Sequence, residues 1–249
     1  MLLHPATSSG RVWQDVAPLL SKNHEVYVPT LLGHRGGPAP QRRPVTLTDV
    51  IDAAERYLNK LGLDRPHLAG NSLGAGVAIE LARRGRAATV CAISPAGFWS
   101  ASDGSMARVL NRIRMGGKAT RLIRPIAPLV LKSAAGRRII LRDAACHGER
   151  LSRARTLDLF FADPVGCTIV DDLLTWRDAV EPLDPLPCPV TFAWAEWDRF
   201  VPAATYGRTA RERLPGATWV ALPGVGHVAM VDDPGLVART IIAVTGVGA

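Results

Sequence analysis

The stretch PHLAGNSLGAGVAIELARRG (66–85) places a serine where a short apolar run gives way to an amphipathic pattern. The run before Ser72 is typical of a buried strand, and the pattern after it is typical of a helix. Gly70 and Gly74 lie two positions to either side of Ser72. A sharp strand-to-helix turn strains the residue at its apex, and larger neighbours at those two positions would clash with the crossing chain. We therefore predict that the Ser72 hydroxyl projects above the carboxyl end of a strand.

The same alternation of strand-like and helix-like patterns continues along most of the chain. Short, largely apolar runs, most of them rich in β-branched residues, are EVYV (25–28), HLAG (67–70), TVCAIS (89–94), PVTFAWA (189–195) and TWVALP (218–223). Amphipathic or apolar helical patterns cover residues 12–20, 48–61, 72–84 and 235–246. Strands that are apolar on both faces and alternate with helices are typical of a parallel sheet covered on both sides. The pattern predicts an α/β fold with a mostly parallel, doubly wound sheet.

The alternation stops between residues 98 and 180, where the pattern is helical, rich in arginine and interrupted by glycine and proline. Strand-like runs resume after this segment. We expect residues 1–97 and 181–249 to form the α/β core, and residues 98–180 to form a helical cap, or lid, inserted into it.

Bulk composition narrows the class of protein. The 249 residues suit one large domain or a domain with an inserted lobe, and no apolar run approaches the roughly 18 residues of a membrane span. The four cysteines are scattered without the spacing of a metal site or disulfide framework, and no signal peptide is recognisable. These features predict a cytoplasmic protein without stable membrane insertion, and they leave its oligomeric state open.

The positive charge is confined to one region. The chain has a formal net charge of +8, yet residues 100–155 contain thirteen Arg or Lys side chains and only three acidic ones. A protein that coats nucleic acid would spread this charge more widely, so we expect no nucleic-acid partner. A solvated helical face is the ordinary interpretation of such a segment. The alternative is a basic rim for an anionic small-molecule substrate, with Arg121 and Arg124 as candidate binding residues.

The apolar residues of the cap alternate with these basic ones. The spacing predicts that they face inward above Ser72; they are Met106, Leu110, Ile113, Leu122, Ile123, Ile126 and Leu129.

Two further side chains complete a catalytic set with Ser72. A serine hydroxyl is a weak nucleophile and needs a base, which in turn needs an orienting carboxylate. Asp198 follows the fourth complete strand pattern, and His227 follows the last one. The carboxyl ends of parallel strands meet at one edge of the sheet, so the three side chains can converge. Glu196 is the rival acid.

Several motifs, in chain order, resemble the α/β-hydrolase fold family, in its serine-nucleophile branch. They are LLHPATSSGRVW (2–13), VPTLLGHRGG (28–37), GNSLGA (70–75), AWAEWDRFVP (193–202) and GVGHVAMVDDP (224–234). The resemblance covers nearly the whole chain. It implies that Ser72 attacks a carbonyl, that His227 transfers the proton, and that Asp198 orients His227.

The resemblance also implies an oxyanion hole formed by the backbone N–H groups of Leu73 and Ala6. It implies no metal and no organic cofactor. His34 and His4 are expected to structure loops.

Two features depart from the family pattern. Pro5 stands where the family usually has glycine, and proline restricts the loop that carries the Ala6 donor. The antiparallel hairpin that normally precedes this loop is apparently missing, since the loop begins almost at residue 1. Either the sheet lacks its first two strands or the start is truncated. The family's strand order then leaves residues 25–28 at an exposed edge.

The implied reaction is acyl transfer to water from an ester, thioester or amide. Serine at position 72 argues against the aspartate-nucleophile branches that open epoxides or remove halogens. Cofactor-free perhydrolysis and carbon–carbon bond hydrolysis use the same triad. Carbon–carbon hydrolases usually have tryptophan after the catalytic histidine, where this chain has Val228. A catalytically weak binding protein of the same fold, and a protein that uses its basic cap at a membrane surface, are the alternatives from other classes.

Overall fold

The computed structural model describes residues 1–99 and 104–246, so residues 100–103 of the predicted cap and the last three residues of the predicted core lie outside it. Five strands form one parallel sheet in chain order: β1 (Leu2–Leu3), β2 (Leu68–Asn71), β3 (Val90–Ile93), β4 (Val190–Ala195) and β5 (Thr218–Leu222). The register aligns Asn71 with Ile93 and Ile93 with Ala193. Ala195 is likewise aligned with Leu222, so the carboxyl ends of β2, β4 and β5 lie at one edge, as the sequence predicts.

Helices occupy both faces of the sheet. In the core they are α1 (Ala17–Leu20), α2 (Leu47–Lys60) and α3 (Leu73–Arg83) before the long excursion, and α10 (Ala203–Arg213), α11 (Ala229–Asp232) and α12 (Pro234–Thr245) after it. Between β3 and β4 the described elements are all helical: α4 (Ser105–Ile123), α5 (Ala127–Val130), α6 (Ala134–Leu141), α7 (Arg153–Leu157), α8 (Asp163–Gly166) and α9 (Val170–Leu173), with a 3-10 turn at Gly148–Arg150 and a π-helical turn at Asp158–Ala162.

Two hydrophobic cores lie on opposite faces of the sheet, because successive strand side chains point to opposite sides. In β4, Phe192 and Trp194 pack with α2 and α3, whereas Ala193 and Ala195 pack with α1 and α12. All six residues of β4 are buried, which explains why five of them are apolar, Thr191 being the exception. The doubly wound α/β prediction is confirmed.

Local signals set the ends of the longest core helix. The Thr46 hydroxyl accepts a hydrogen bond from the Asp49 N–H at 3.2 Å, and the Asp49 carboxylate accepts one from the Thr46 N–H at 2.8 Å. This reciprocal pair satisfies two backbone donors at the start of α2. Gly62 follows the helix with φ +69°, a conformation that L side chains rarely adopt.

Two predicted elements differ from the structure at the front of the chain. Residues 25–28 are not a strand: the Leu2 N–H donates to the Tyr27 carbonyl at 2.8 Å, but no ladder of bonds extends from it. The described residues also contain no antiparallel strand pair. The helix predicted over 12–20 divides into a 3-10 turn at Gly10–Trp13 and the short α1, because Pro18 has no N–H to continue a helix that began upstream.

The prediction that the apolar residues of 106–129 all face inward is wrong for three of them. Leu110 and Ile113 line cavities above Ser72, but Leu122, Ile126 and Leu129 are 82%, 56% and 67% exposed. The C-terminal part of α4 packs instead through Ile123, which contacts a small separate core formed by Ala127, Leu131 and Phe161.

Candidate active site

Ser72 occupies the turn between β2 and α3 in a strained backbone conformation. Its φ is +55° and its ψ is −114°, values that a non-glycine residue adopts only where the surroundings enforce them. The enforcement is visible: the Ser72 N–H donates to the Ile93 carbonyl at 3.0 Å, and its own carbonyl accepts from the Ala96 N–H at 3.1 Å. The turn is thus bonded to the neighbouring strand and the loop after it.

The flanking glycines are required by close backbone approach. A Cβ on Gly70 would lie within 3.0 Å of the Gly74 backbone, and one on Gly74 would lie within 3.0 Å of the Leu3 backbone. Real Cβ atoms almost never show such separations. The predicted steric reason for the Gly-x-Ser-x-Gly pattern is therefore present in the structure.

His227 and Asp198 are hydrogen-bonded to each other beyond the ends of β5 and β4. The distance from His227 Nδ1 to Asp198 Oδ2 is 2.7 Å, and both side chains are buried. Because Nδ1 is turned to the carboxylate, Nε2 is the ring nitrogen available to another group. His227 and Ser72 line the same cavity.

The surroundings of Asp198 keep its carboxylate ionised. Burial alone raises its pKa, but the attraction and hydrogen bond of His227, the Val201 N–H and the Ser94 hydroxyl outweigh burial and hold the pKa below its usual value. Asp198 Oδ1 accepts from the N–H groups of Phe200 and Val201 at 2.8 and 2.7 Å. A fixed anion in this position orients the imidazole and stabilises its positive charge.

Glu196, the rival acid, points elsewhere. Its Oε2 accepts a hydrogen bond from the Gly224 N–H at 2.8 Å on the exposed side of the loop. The geometry favours Asp198 as the partner of His227.

Ala6 and Leu73, the two candidate oxyanion donors, line the same cavity as Ser72. Leu73 is the first residue of α3, so its N–H has no acceptor within the helix and belongs to the positive end of the helix dipole. Ala6 lies in the loop after β1, beside Thr7, whose φ is +58°. Both residues line a cavity that also contains Ser72.

Two buried histidines hold the Ala6 loop, in the role expected for them. His4 Nε2 accepts from the Leu31 N–H at 2.9 Å, and its Nδ1 donates to the Pro5 carbonyl at 2.8 Å. His34 packs edge-on against His4 with ring centroids 4.8 Å apart. Burial lowers the pKa of His4 to about 3 and that of His34 to about 4, so both imidazoles are neutral near neutral pH.

Two cavities, each of about 210 Å³, meet at Ser72. They share Ala6, Ser72, Val109 and Ile113, and both are mainly apolar. The first extends under α4 toward His227 and is also lined by Leu159, Phe160, Pro164, Val165, Phe200 and Val228. The second extends between α2, α3 and α9 and is also lined by Leu47, Ile51, Leu110, Leu173 and Trp176. A substrate centred on Ser72 can place one part in each cavity.

The two candidate arginines differ in position. Arg121 lines the first cavity together with Arg112, whose guanidinium donates to the Arg199 carbonyl. Arg124 is exposed and is not part of either lining. The second cavity carries acidic groups instead: Glu80, Asp178 and Glu181.

Three residues that sequence reasoning missed support the site. Asn71 Nδ2 donates to the His227 carbonyl at 3.0 Å, and the Ser94 hydroxyl bonds to Asp198. Buried Asp232 accepts from the N–H groups of Gly226, Cys146 and His147 at 2.7, 2.9 and 2.7 Å, which fastens the His227 loop to residues 146 and 147. The position of Asn71 next to Ser72, and that of Asp232 five residues after His227, are the only sequence signals for these roles.

Residues 1–99 and 104–246 contain no cluster of three or more His, Cys, Asp or Glu side chains suited to a metal ion. In the same described part of the chain, no helix is both long and apolar enough to cross a membrane.

The fold is a doubly wound parallel sheet with a strained serine turn after one strand and a helical insertion before the next-to-last strand. These features define the α/β-hydrolase class of fold. The alpha/beta hydrolase family matches residues 1–240, and the chain belongs to this family. The epoxide hydrolase EphH of Mycobacterium tuberculosis is 30% identical over 196 residues, which cover 77% of this chain and 91% of that protein. The chain is therefore a hydrolase of this family.

Solved structures repeat the fold at lower sequence identity. A thermophilic esterase from Thermogutta terrifontis, with malate bound, has a TM-score of 0.72 at 20% identity, covering 97% of this chain and 87% of that one. The 2-hydroxy-6-oxo-6-phenylhexa-2,4-dienoate hydrolase of Rhodococcus sp. strain RHA1 has a TM-score of 0.73 at 20% identity, covering 98% and 89%. Likeness at this level of identity establishes the fold alone.

Proposed function

We propose that this hydrolase cleaves a small-molecule ester, thioester or related acyl bond through an acyl-enzyme on Ser72. The observation that carries the proposal is the 2.7 Å bond between His227 and Asp198 beside a cavity that contains the strained Ser72. The helices between β3 and β4 act as the cap, and they supply the roof of that cavity.

In the first step Ser72 Oγ attacks the substrate carbonyl while His227 Nε2 takes the hydroxyl proton. The negative charge that develops on the carbonyl oxygen is stabilised by the Leu73 and Ala6 N–H groups, and Asp198 stabilises the imidazolium. His227 then gives its proton to the leaving group. A water molecule, deprotonated by His227, releases the acid and restores Ser72.

The cavities favour a substrate with two unlike parts. Arg112 and Arg121 at the first cavity favour a part that carries a carboxylate or phosphate, whereas Asp178 and Glu181 at the second disfavour one there, Glu80 being paired with Arg83. The apolar walls suit an acyl or aromatic chain next to the scissile bond.

Epoxide opening, the activity named for the Mycobacterium tuberculosis relative, fits residue 72 poorly. A carboxylate that opens an epoxide forms an ester, which water can hydrolyse at its carbonyl. A serine that did the same would form an ether, which has no carbonyl to attack. Acyl transfer is therefore the reaction that a serine nucleophile supports.

Purified protein tested on chromogenic esters of graded acyl length provides the decisive experiment. We expect turnover in the native chain, and a loss of at least about 10³-fold in kcat/KM for Ser72→Ala, His227→Ala and Asp198→Asn, because members of a triad act as a unit. Glu196→Gln is the matched control and should keep near-normal activity.

A fluorophosphonate probe should label native protein and not Ser72→Ala. Absence of both labelling and turnover in folded protein would favour a binding role. Turnover of an aromatic epoxide that survives Ser72→Ala would refute the nucleophile assignment. Cleavage of a vinylogous diketone faster than any ester would point to carbon–carbon hydrolysis, and peroxide-dependent halogenation would point to perhydrolysis.

A further inference from the structure

An exposed apolar stripe begins on the outer side of α4 and continues through the following turn into α5. Met115 and Leu122 are 63% and 82% exposed, and Ile126 and Leu129 continue the line. Met115 and Leu122 lie seven residues apart, about two turns, on one side of α4, while Ile126 lies in the turn after α4 and Leu129 lies in α5. Large apolar side chains that remain exposed in a row mark an interaction surface rather than ordinary surface scatter.

The stripe is surrounded by a positively charged surface. Residues 104–142 contain ten Arg or Lys side chains and no acidic residue. Arg114, Lys118 and Lys132 are exposed beside the stripe, and none of them forms an ion pair with another described residue. A second copy of the same face would be repelled by this charge, so the complementary partner is an anionic one.

The opposite side of α4 faces the proposed catalytic cavity. Val109, Ile113 and Gly117 line that cavity. Arg121, which directly precedes the stripe residue Leu122 in the sequence, lines the cavity as well. The helix thus has one face turned to the reacting groups and another turned outward with apolar and basic side chains. A helix of this composition is the kind that lies in the plane of a membrane interface.

We propose that the stripe formed by Met115, Leu122, Ile126 and Leu129, with its surrounding cations, docks this hydrolase on an anionic lipid surface. The apolar side chains enter the headgroup region, and the cations contact lipid phosphates. Nucleic acid would contact the cations as well, but it would gain no favourable contact from the four exposed apolar side chains. Residues 104–142 also have no aromatic ring on which a base could stack. Docking would hold the cap and the cavity beneath it near the bilayer.

Vesicle co-sedimentation tests the proposal directly. We expect the native chain to sediment with vesicles of mixed phosphatidylcholine and phosphatidylglycerol and to stay in solution with phosphatidylcholine alone. Replacing Leu122, Ile126 and Leu129 with Ser keeps the charge and should weaken binding at least about tenfold, because the apolar area that enters the interface is lost.

Charge variants separate a specific surface from general basicity. Arg114→Gln with Lys118→Gln should weaken binding roughly 30-fold, since each cation near an anionic surface contributes a factor of about five. Arg208→Gln with Arg239→Gln removes the same charge from exposed positions outside the stripe and should leave binding nearly unchanged. Melting temperature and turnover of a water-soluble ester verify that each variant is folded.

The Ser72→Ala variant keeps this test independent of the proposed chemistry, because it should bind vesicles as the native chain does. Equal sedimentation with neutral and anionic vesicles would overturn the proposal. So would unchanged binding by the folded variant in which Leu122, Ile126 and Leu129 are replaced with Ser, or binding to RNA in preference to anionic vesicles.

Discussion

Gly74→Ala and Gly76→Ala introduce the same methyl group into the same helix, but there is room for it only at position 76. At Gly74 the new Cβ would lie within 3.0 Å of the Leu3 carbonyl and 2.8 Å from the His4 carbonyl oxygen. At Gly76 the nearest atom outside the helix is the Ala96 carbonyl oxygen at 3.4 Å, an ordinary contact. Neither obstacle at Gly74 is a side chain that can rotate away.

The magnitudes follow from helix propensity and overpacking. Replacing glycine with alanine within a helix contributes up to about 1 kcal/mol. We therefore expect Gly76→Ala to raise the free energy of unfolding by about 0.5–1 kcal/mol. Overpacking against backbone costs about 1–3 kcal/mol, which exceeds that gain, so Gly74→Ala should lower the free energy of unfolding.

The clash at Gly74 also bears on catalysis. Relief requires β1 to move away from α3, and Leu3 and His4 lead directly into the loop that carries the Ala6 N–H. Loss of one oxyanion donor costs about 10²–10³ in kcat, so partial displacement should lower kcat at least about tenfold. Urea denaturation and ester kinetics on both variants provide the measurement. If Gly74→Ala is as stable and as active as Gly76→Ala, close backbone approach does not require glycine at position 74.

Other predictions concern positioning, substrate charge and acid stability. Asp232→Asn leaves at least one of three backbone N–H groups without an acceptor, so kcat should fall about tenfold or more in ester assays while KM changes little. Raising ionic strength should lower kcat/KM for anionic but not neutral esters; Arg121→Gln should reduce this salt effect, whereas Arg124→Gln should preserve it. His4 and His34 have folded pKa values below the unfolded 6.5, so the unfolded chain binds more protons. The free energy of unfolding should therefore decline as pH falls from about 6.5 toward 4, by up to about 1.4 kcal/mol per pH unit for each histidine, and denaturant titrations of His34→Gln should show a shallower decline.

The class of fold and the candidate catalytic residues could be predicted from sequence because their signals are local. Glycine on both sides of Ser72 reflects a backbone requirement that any chain making this turn must meet. The mostly apolar run in β4 reflects burial on both faces. The expectation that Ser72, Asp198 and His227 converge needed only the rule that parallel strands end at one edge of the sheet.

The local sequence pattern did not predict the structure correctly where the conformation depends on contacts between segments distant in the sequence. Residues 25–28 have strand-like composition, yet the structure gives them one backbone bond to β1 and no ladder. Leu122 has the period of a core residue, but helical spacing defines a face without saying which side is covered. The packing of Ile123 on Ala127 and Leu131 turns that face outward.

The sequence by itself determined which reactive side chains are available, because a serine at a strained turn, a histidine and a carboxylate are properties of residue type and of short-range backbone geometry. The tertiary structure alone decided that Asp198 rather than Glu196 contacts His227, that Arg121 rather than Arg124 lines the cavity, and that Asp232 fastens the histidine loop. Each of these depends on distances of a few ångströms between groups brought together by folding, and such distances are set by the packing of the whole chain.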